Sequence, residues 1–157
     1  MDVAARTAAT SHAEKMKVGA VAVRERRILL CGFNGTPAGT SNVCEETQFP
    51  SETDLAWMTP EELSQSFPYI NSRGERYALV TRYDVLHAEE NLILYAAKKG
   101  IALYECDLYC THLPCLHCAR MIFGAGIRRV VYREAYRDRE GERFLRGVGL
   151  ALEHYEG

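Results

Sequence analysis

The sequence predicts an α/β fold, a three-layer α/β/α sandwich with a mixed central sheet of about five strands. Apolar segments of strand length alternate along the chain with segments of helical periodicity. This alternation implies a sheet covered by helices on both faces. The chain has 157 residues, 47% of them hydrophobic, which is enough for a substantial core. We expect a single domain over residues 1–157, with an insertion at about residues 40–84.

The elements are expected in the following order. A helix near residues 3–9 precedes two paired strands at 18–23 and 27–33, which a charged turn joins. Regular pattern is then lost until about residue 84, apart from one short helix signalled by the capping box Thr59-Pro60-Glu61-Glu62. After this connection we expect a helix at 88–99 ending at Gly100, a strand at 107–111, a helix at 115–124, a strand at 129–132, a helix near 138–147 and a strand near 149–153.

Two separated motifs, His87-Ala88-Glu89 and Pro114-Cys115-Leu116-His117-Cys118, supply metal ligands. Catalytic zinc sites use three protein ligands and leave the fourth position for water. Pro114 favours a helix start, which places Cys115 and Cys118 on one side of the first turn. There the helix dipole and the metal stabilise thiolates. We therefore predict a catalytic zinc bound by His87, Cys115 and Cys118.

Glu89 is predicted to be the proton shuttle of this centre. It opens a helical stripe of apolar residues, Leu92, Ile93, Ala96 and Ala97. Burial raises the pKa of a carboxylic acid and a nearby zinc lowers it, and the sequence leaves open which effect is larger. The pattern H-x-E with P-C-x-x-C is that of zinc nucleobase deaminases, with the glutamate as general acid and base. Taken alone, the two cysteines would fit a redox pair, and the histidine would fit an ordinary core residue. The combination of both motifs in one chain favours a deaminase.

The other cysteines are interpreted as structural. Cys31, Cys106 and Cys110 lie in apolar, strand-like runs, where a free thiol packs as a small hydrophobe. Cys44 lies in a polar loop without partners nearby in the sequence for a second metal. No signal peptide or membrane span is recognised, so we expect a cytoplasmic protein with reduced thiols and no membrane partner.

The charge distribution argues against a polynucleotide partner. The net charge is −2, and the chain has no Lys or Arg between Arg27 and Arg73, a segment that is rich in acids. Eight arginines of the last third are interpreted as a solvated face or subunit contacts, with one or two available for a nucleotide phosphate. They are Arg120, Arg128, Arg129, Arg133, Arg137, Arg139, Arg143 and Arg146.

Nearly the whole chain resembles the deoxycytidylate (dCMP) deaminases of the cytidine deaminase superfamily. The resemblance rests on four segments: Lys17 to Val21, Gly32 to Pro37, His87 to Asn91, and Pro114 to Ala119. It implies a cytidine deaminase-like fold and hydrolysis of dCMP to dUMP and ammonia, which supplies dUMP for thymidylate synthesis. In that reaction a zinc-activated water would attack the base, and Glu89 would carry the protons.

The resemblance also implies further site residues and regulation. The amide of Ala88 would orient the pyrimidine, and Asn34 would lie at the nucleotide sugar or in a neighbouring effector site. It further implies a homo-oligomer, often a hexamer, activated by dCTP with Mg²⁺ and inhibited by dTTP. Tyr136, which follows a predicted strand, is a second substrate-binding candidate, with an ordinary surface aromatic as the alternative.

The turn from Gly32 to Gly35 is a candidate effector site. Glycine allows close backbone approach, and successive amides can cradle phosphate oxygens. Gly32, Asn34 and Gly35 are therefore candidate effector-binding residues. The alternative is an ordinary turn that ends a strand.

The chain departs from the family in one respect. Some members hold a second, structural zinc, but of its expected ligands only Cys44 is present, so we predict one zinc per chain. Other functions remain open at this point: a tRNA adenosine or riboflavin-pathway deaminase, or a zinc-stabilised binding module without turnover. In that module Glu89 would be only a helix N-terminal acid.

Overall fold

A computed structural model describes residues 1–136 and 138–157. It contains six helices within the described residues: α1 (Asp2–Ala9), α2 (Glu52–Trp57), α3 (Pro60–Ser66), α4 (Ala88–Lys99), α5 (Leu116–Gly124) and α6 (Glu140–Gly147). The strands of these residues are β1 (Gly19–Arg24), β2 (Arg27–Phe33), β3 (Glu45–Gln48), β4 (Tyr69–Ile70), β5 (Arg76–Thr81), β6 (Asp107–His112), β7 (Arg129–Glu134) and β8 (Ala151–His154).

Five strands form the central sheet, in the order β2-β1-β6-β7-β8. β1 pairs antiparallel with both β2 and β6, whereas β6, β7 and β8 run parallel. The sheet is therefore mixed, as predicted. The helices at 88–99 and 115–124 and the surrounding strands also agree with the prediction to within a few residues.

Two glycines show that helices cover opposite faces of this sheet. Gly32 pairs with Ala20, the neighbour of Gly19, so the two glycines face opposite sides. A Cβ on Gly19 would stand 2.2 Å from the Ala4 carbonyl oxygen of α1. A Cβ on Gly32 would stand 2.5 Å from the Ala88 carbonyl oxygen of α4. Both helices thus approach the sheet closely, and the predicted three-layer architecture is confirmed.

The main core lies between the sheet and the helices. Leu92, Leu108, Ile122, Val130 and Leu145 are almost fully buried there, together with several alanines and cysteines. Helix α4 presents Leu92 and Ala96 to this core, but Ala97 of the predicted stripe is exposed. The N-termini of α4 and α5 lie at the same end of the sheet, where the site is built.

The insertion is more regular than its sequence predicts. Besides the expected α3 it contains α2, whose cap Ser51 and Asp54 exchange hydrogen bonds. It also contains a second sheet of order β3-β5-β4. The sequence predicts one short helix and no strands in this segment. The strands are short and mostly exposed, so they lack the alternation of buried residues that marks a strand in sequence.

The described arginines of the last third largely pair with carboxylates. Arg129 contacts Asp107 and Glu153, and α6 carries three further ion pairs on its surface. Arg137 lies outside the described residues. Among the helices of the described residues, none combines the length and the apolar character needed to cross a membrane.

Candidate active site

The predicted zinc ligands meet at two helix N-termini. His87 is the N-cap of α4 and Cys115 is the N-cap of α5, with Cys118 one turn further along α5. Nδ1 of His87 lies 3.5 Å from Sγ of Cys115 and 3.5 Å from Sγ of Cys118. The carboxylate of Glu90 joins the two helices, since it accepts from the His87 backbone N–H and contacts His117 of α5.

This arrangement fits zinc. With usual Zn–S and Zn–N bond lengths, tetrahedral sulfur and nitrogen ligands stand about 3.6 Å apart. The three ligand atoms all lie within 4.8 Å of one another, and among the described residues no further metal-binding group joins them. Three ligands of the types that zinc prefers leave one position for water or substrate.

The two thiols are hydrogen-bonded to each other, and their ionisation is coupled. A hydrogen bond from the Cys118 thiol lowers the pKa of Cys115 to about 3, although burial opposes the shift. The same hydrogen bond raises the pKa of Cys118. The thiolate is therefore favoured at Cys115, and the proton of the pair is favoured at Cys118. Zinc binds both sulfurs as thiolates, so metal binding would release this proton.

Glu89 is buried next to these ligands, with 4% of its surface exposed. Burial raises its pKa to about 7, against the opposing effects of a backbone hydrogen bond and of His87. Of the influences that the protein itself exerts on this carboxyl group, burial is thus the largest. A group with this pKa exchanges protons readily near neutral pH.

A cavity of about 580 Å³ opens over the ligands. Among the predicted site residues, those that line it include Asn34, His87, Ala88, Glu89 and Cys115. Tyr136 lines the same cavity, and Cys118 is buried behind it. Ala88 is the first residue of α4, where the backbone N–H has no partner within the helix.

Asn34 lines the cavity, but its amide group is held by the main chain. Its Oδ1 accepts from the Val18 N–H at 2.8 Å, and its Nδ2 donates to the Met16 carbonyl at 2.8 Å. It therefore fixes the chain before β1. Contact of its side chain with a nucleotide stays a prediction.

The turn from Gly32 to Gly35 does not form the predicted phosphate cradle. The N–H of Asn34 donates to the Val18 carbonyl, and the N–H of Gly35 donates to the Leu86 carbonyl. Both amides are thus already bonded. Gly32 is buried against α4 and, like Gly35, does not line the cavity. The structure favours the alternative interpretation, a turn that ends a strand, and effector contact by these residues stays a prediction.

Of the cysteines interpreted as core, Cys106 and Cys110 are buried, but Cys31 is exposed. Cys31 lies on β2, the edge strand of the sheet, and topology of this kind cannot be read from local sequence. Cys44 is buried in a small apolar cluster with Ala13 and Val85.

Sequence reasoning missed several cavity residues. Lys15, Glu45, Thr81, His112 and Glu134 also line the cavity. His112 stands three residues before Cys115, and this proximity to the motif was the available signal. Glu45 and Thr81 belong to β3 and β5, so the sheet of the insertion forms part of the cavity wall.

An open three-ligand metal centre beside a buried glutamate that is not a ligand is the arrangement of the zinc-dependent base deaminases. Residues 1–134 match the family described as "Cytidine and deoxycytidylate deaminase zinc-binding region". The chain belongs to this family.

Comparison with individual proteins of the family supports this assignment. The chain is 31% identical over 149 residues to the deoxycytidylate deaminase of Enterobacteria phage T4, covering 87% of this chain and 77% of that protein. It is 33% identical over 156 residues to the deoxycytidylate deaminase of Schizosaccharomyces pombe, but spans only 42% of that protein. The crystal structure of a cyanophage S-TIM5 dCMP deaminase in complex with dCMP and dUMP superposes with a TM-score of 0.74 at 32% identity, covering 98% of this chain and 92% of that one.

Proposed function

We propose that this protein hydrolyses dCMP to dUMP and ammonia, and so supplies dUMP for thymidylate synthesis. The observation that carries the proposal is the cavity that joins the His87, Cys115 and Cys118 cluster to the buried Glu89. Support for the substrate comes from the cyanophage relative, which binds dCMP and dUMP. Deamination of deoxycytidylate is the activity by which these two relatives are named.

His87, Cys115 and Cys118 would hold one zinc ion per chain. Bound zinc lowers the pKa of a water molecule to near neutrality and so supplies a nucleophile. The hydrogen bonds around Cys115 lower its pKa and so favour the thiolate form that zinc binds.

Glu89 would move the protons of the reaction. With a pKa of about 7, its carboxyl group is divided between its protonated and ionised forms at neutral pH. It would take the proton that the attacking water loses and give it to N3 of the pyrimidine, and would then pass the proton of the hydroxyl added at C4 to the leaving amine. The Ala88 N–H, free of a partner within α4, would donate to the base and orient it.

The direct test is an assay of three substrates side by side: dCMP, deoxycytidine and an RNA hairpin. The zinc-loaded protein is expected to release ammonia from dCMP much faster than from the other two. Turnover of the hairpin alone would favour a tRNA adenosine deaminase. If the protein turns over none of the three, a riboflavin-pathway pyrimidine is assayed next. Absence of turnover with that substrate as well would favour a binding module.

Regulation and assembly are proposed on the family resemblance alone. Activation by dCTP with Mg²⁺, inhibition by dTTP and a hexameric state are expected, although the turn at 32–35 offers no free amides at Asn34 and Gly35 for a phosphate. Initial rates with and without each nucleotide, and light scattering of the purified protein, test these expectations separately from the activity.

A further inference from the structure

We infer that His112 donates a hydrogen bond from Nε2 to an oxygen of the bound nucleotide, and that the Thr111 hydroxyl holds the imidazole in the tautomer that does so. The inference rests on the proposed function, because it assumes a nucleotide in the cavity. It adds a specificity-determining residue and a positioning residue that neither zinc motif contains.

His112 is well placed for this role. It is the last residue of β6 and is only partly buried, and it lines the same cavity as His87 and Glu89. Only two residues separate it from Cys115, so its backbone belongs to the segment that positions this proposed metal ligand. Across the sheet it pairs with Glu134 of β7.

The Thr111 hydroxyl determines the tautomer of His112. Thr111 is 1% exposed, and its Oγ1 accepts from the Gly19 N–H at 3.1 Å. The same oxygen lies 3.0 Å from Nδ1 of His112. The Gly19 N–H already donates to Oγ1, so the hydroxyl proton points away from it and donates to Nδ1 of His112. Nδ1 must therefore be unprotonated. The reverse direction would leave the hydroxyl proton buried without an acceptor, which is costly.

Nε2 therefore carries the imidazole proton. Among the described residues Nε2 has no hydrogen-bond partner. Every polar side-chain atom that is sealed from solvent in these residues does have a partner. Nε2 is consequently accessible to solvent, and its side chain lines the cavity. Burial lowers the pKa of His112, with Glu134 opposing and Arg133 reinforcing the shift, so the imidazole is neutral near pH 7. The cavity thus holds a neutral N–H donor with a fixed direction.

Other polar side chains of the cavity are already engaged. The Asn34 amide binds the main chain at residues 16 and 18. The Glu45 carboxylate accepts from the amides of Glu14 and Lys15, and Glu134 pairs with Arg133. A pyrimidine nucleotide presents mostly acceptors: the base carbonyl, the sugar oxygens and the phosphate. An uncommitted N–H donor is complementary to these groups.

Two substitutions at residue 112 test the donor. His112→Leu keeps an apolar side chain of moderate size but removes the N–H, whereas His112→Gln places an amide N–H near the position of Nε2. We expect His112→Leu to raise KM for dCMP and Kd for dUMP by roughly 5- to 10-fold, with a smaller change in kcat. His112→Gln should recover most of this loss. Zinc content and circular dichroism of both variants establish that they fold.

Binding of dUMP and of deoxyuridine, which differ only in the phosphate, identifies the part of the nucleotide that carries the acceptor oxygen. If His112→Leu weakens dUMP and deoxyuridine equally, the acceptor is on the base or sugar. If it weakens dUMP alone, the acceptor is a phosphate oxygen. Both results support the inference, whereas unchanged binding of both ligands overturns it.

Imidazole ¹⁵N chemical shifts test the role of Thr111 independently of activity. The wild-type protein and Thr111→Ser should show His112 protonated at Nε2, and Thr111→Val should show a mixture of tautomers with weaker dUMP binding. In the His112→Leu background, Thr111→Val should have no further effect on dUMP affinity. A wild-type imidazole protonated at Nδ1 would refute the inference. If the wild-type protein neither binds nor converts dCMP, the proposed function fails instead.

Discussion

Glu89 illustrates how burial sets chemistry at a single position. Its carboxyl group is 4% exposed, and its pKa rises to about 7 chiefly because water is excluded from it. The neighbouring Glu90 is also in the first turn of α4, but its carboxylate binds His87 and His117. The two adjacent glutamates are therefore in different environments: Glu89 is buried beside the cluster, whereas Glu90 holds two helices together.

Replacing Glu89 by Gln is expected to leave the zinc centre intact and to reduce kcat by about 10³-fold or more, because the proton shuttle is lost. The measurement is ammonia release from dCMP together with zinc content. Glu90→Gln is the matched control. Its amide oxygen can still accept from the His87 N–H, so most turnover should remain. Equal activity of Glu89→Gln and the wild-type protein would remove Glu89 from the mechanism.

At the scale of elements, the contact between β2 and α4 positions the site. Gly32 allows the Ala88 carbonyl and the Leu92 side chain to approach the sheet, and Ala88 lies between the proposed ligand His87 and the proposed shuttle Glu89. Any side chain at residue 32 must push α4 away. The catalytic geometry thus depends on a residue that does not contact the cavity.

Gly32→Ala is expected to destabilise the fold by about 2–4 kcal/mol, since its Cβ would stand 2.5 Å from a backbone oxygen. It should also lower kcat, because α4 carries Glu89. Gly147→Ala is the control: it lies at the end of α6 with open space around it, and should be neutral or slightly stabilising. Urea denaturation measures both. Equal stability of the two variants would mean that α4 adjusts freely.

Asp107 joins neighbouring strands of the sheet. Burial alone would raise its pKa, but hydrogen bonds from Arg128 and Arg129 outweigh this effect and hold the pKa below its usual value. The folded state therefore favours the ionised form. The resulting stability is present above about pH 4 and is lost as the pH falls through the lowered pKa.

Asp107→Asn should cost about 1–2 kcal/mol at pH 7, and the difference from the wild-type protein should shrink below about pH 4. Urea denaturation at several pH values measures this difference. Glu140→Gln breaks the exposed pair with Arg143 and should change stability little at any pH. A difference that stays constant down to pH 2 would exclude ionisation of Asp107 as the cause.

The sequence predicted the α/β layers and the cluster of His87, Cys115 and Cys118 because both depend on local patterns. Periodicity marked α4 and α5, and the spacing of Cys115 and Cys118 marked the cluster as a candidate metal site. The sheet of the insertion was missed because its strands bury little. Thr111 and His112 were missed for another reason: the Gly19 contact that gives them their role spans 92 residues.

At the scale of the whole molecule, the proposed zinc would be a cross-link between α4 and α5. His87 and Cys115 are 28 residues apart in the chain but adjacent in space. Metal bound by both helices stabilises the folded state relative to the unfolded chain, which has no preformed site. The metal is thus expected to contribute to stability as well as to catalysis.

Removal of zinc by a chelator is expected to lower Tm by roughly 5 °C or more, and readdition should restore it. Cys118→Ser should show the lower Tm with or without chelator, since a ligand is lost. Cys31→Ser is the control, because Cys31 is exposed on the edge strand and should leave both Tm and zinc content unchanged. A Tm that is insensitive to chelation would argue against this stabilising role.

The division of the ligands between two helices also orders events during biosynthesis. His87 leaves the ribosome 28 residues before Cys115 and cannot hold zinc by itself. The cysteine pair follows, and the three ligands converge only after α4 and α5 have docked on the sheet. Tight capture of the proposed metal would therefore come late, and a nascent chain that has not reached α5 would lack two of its three proposed ligands.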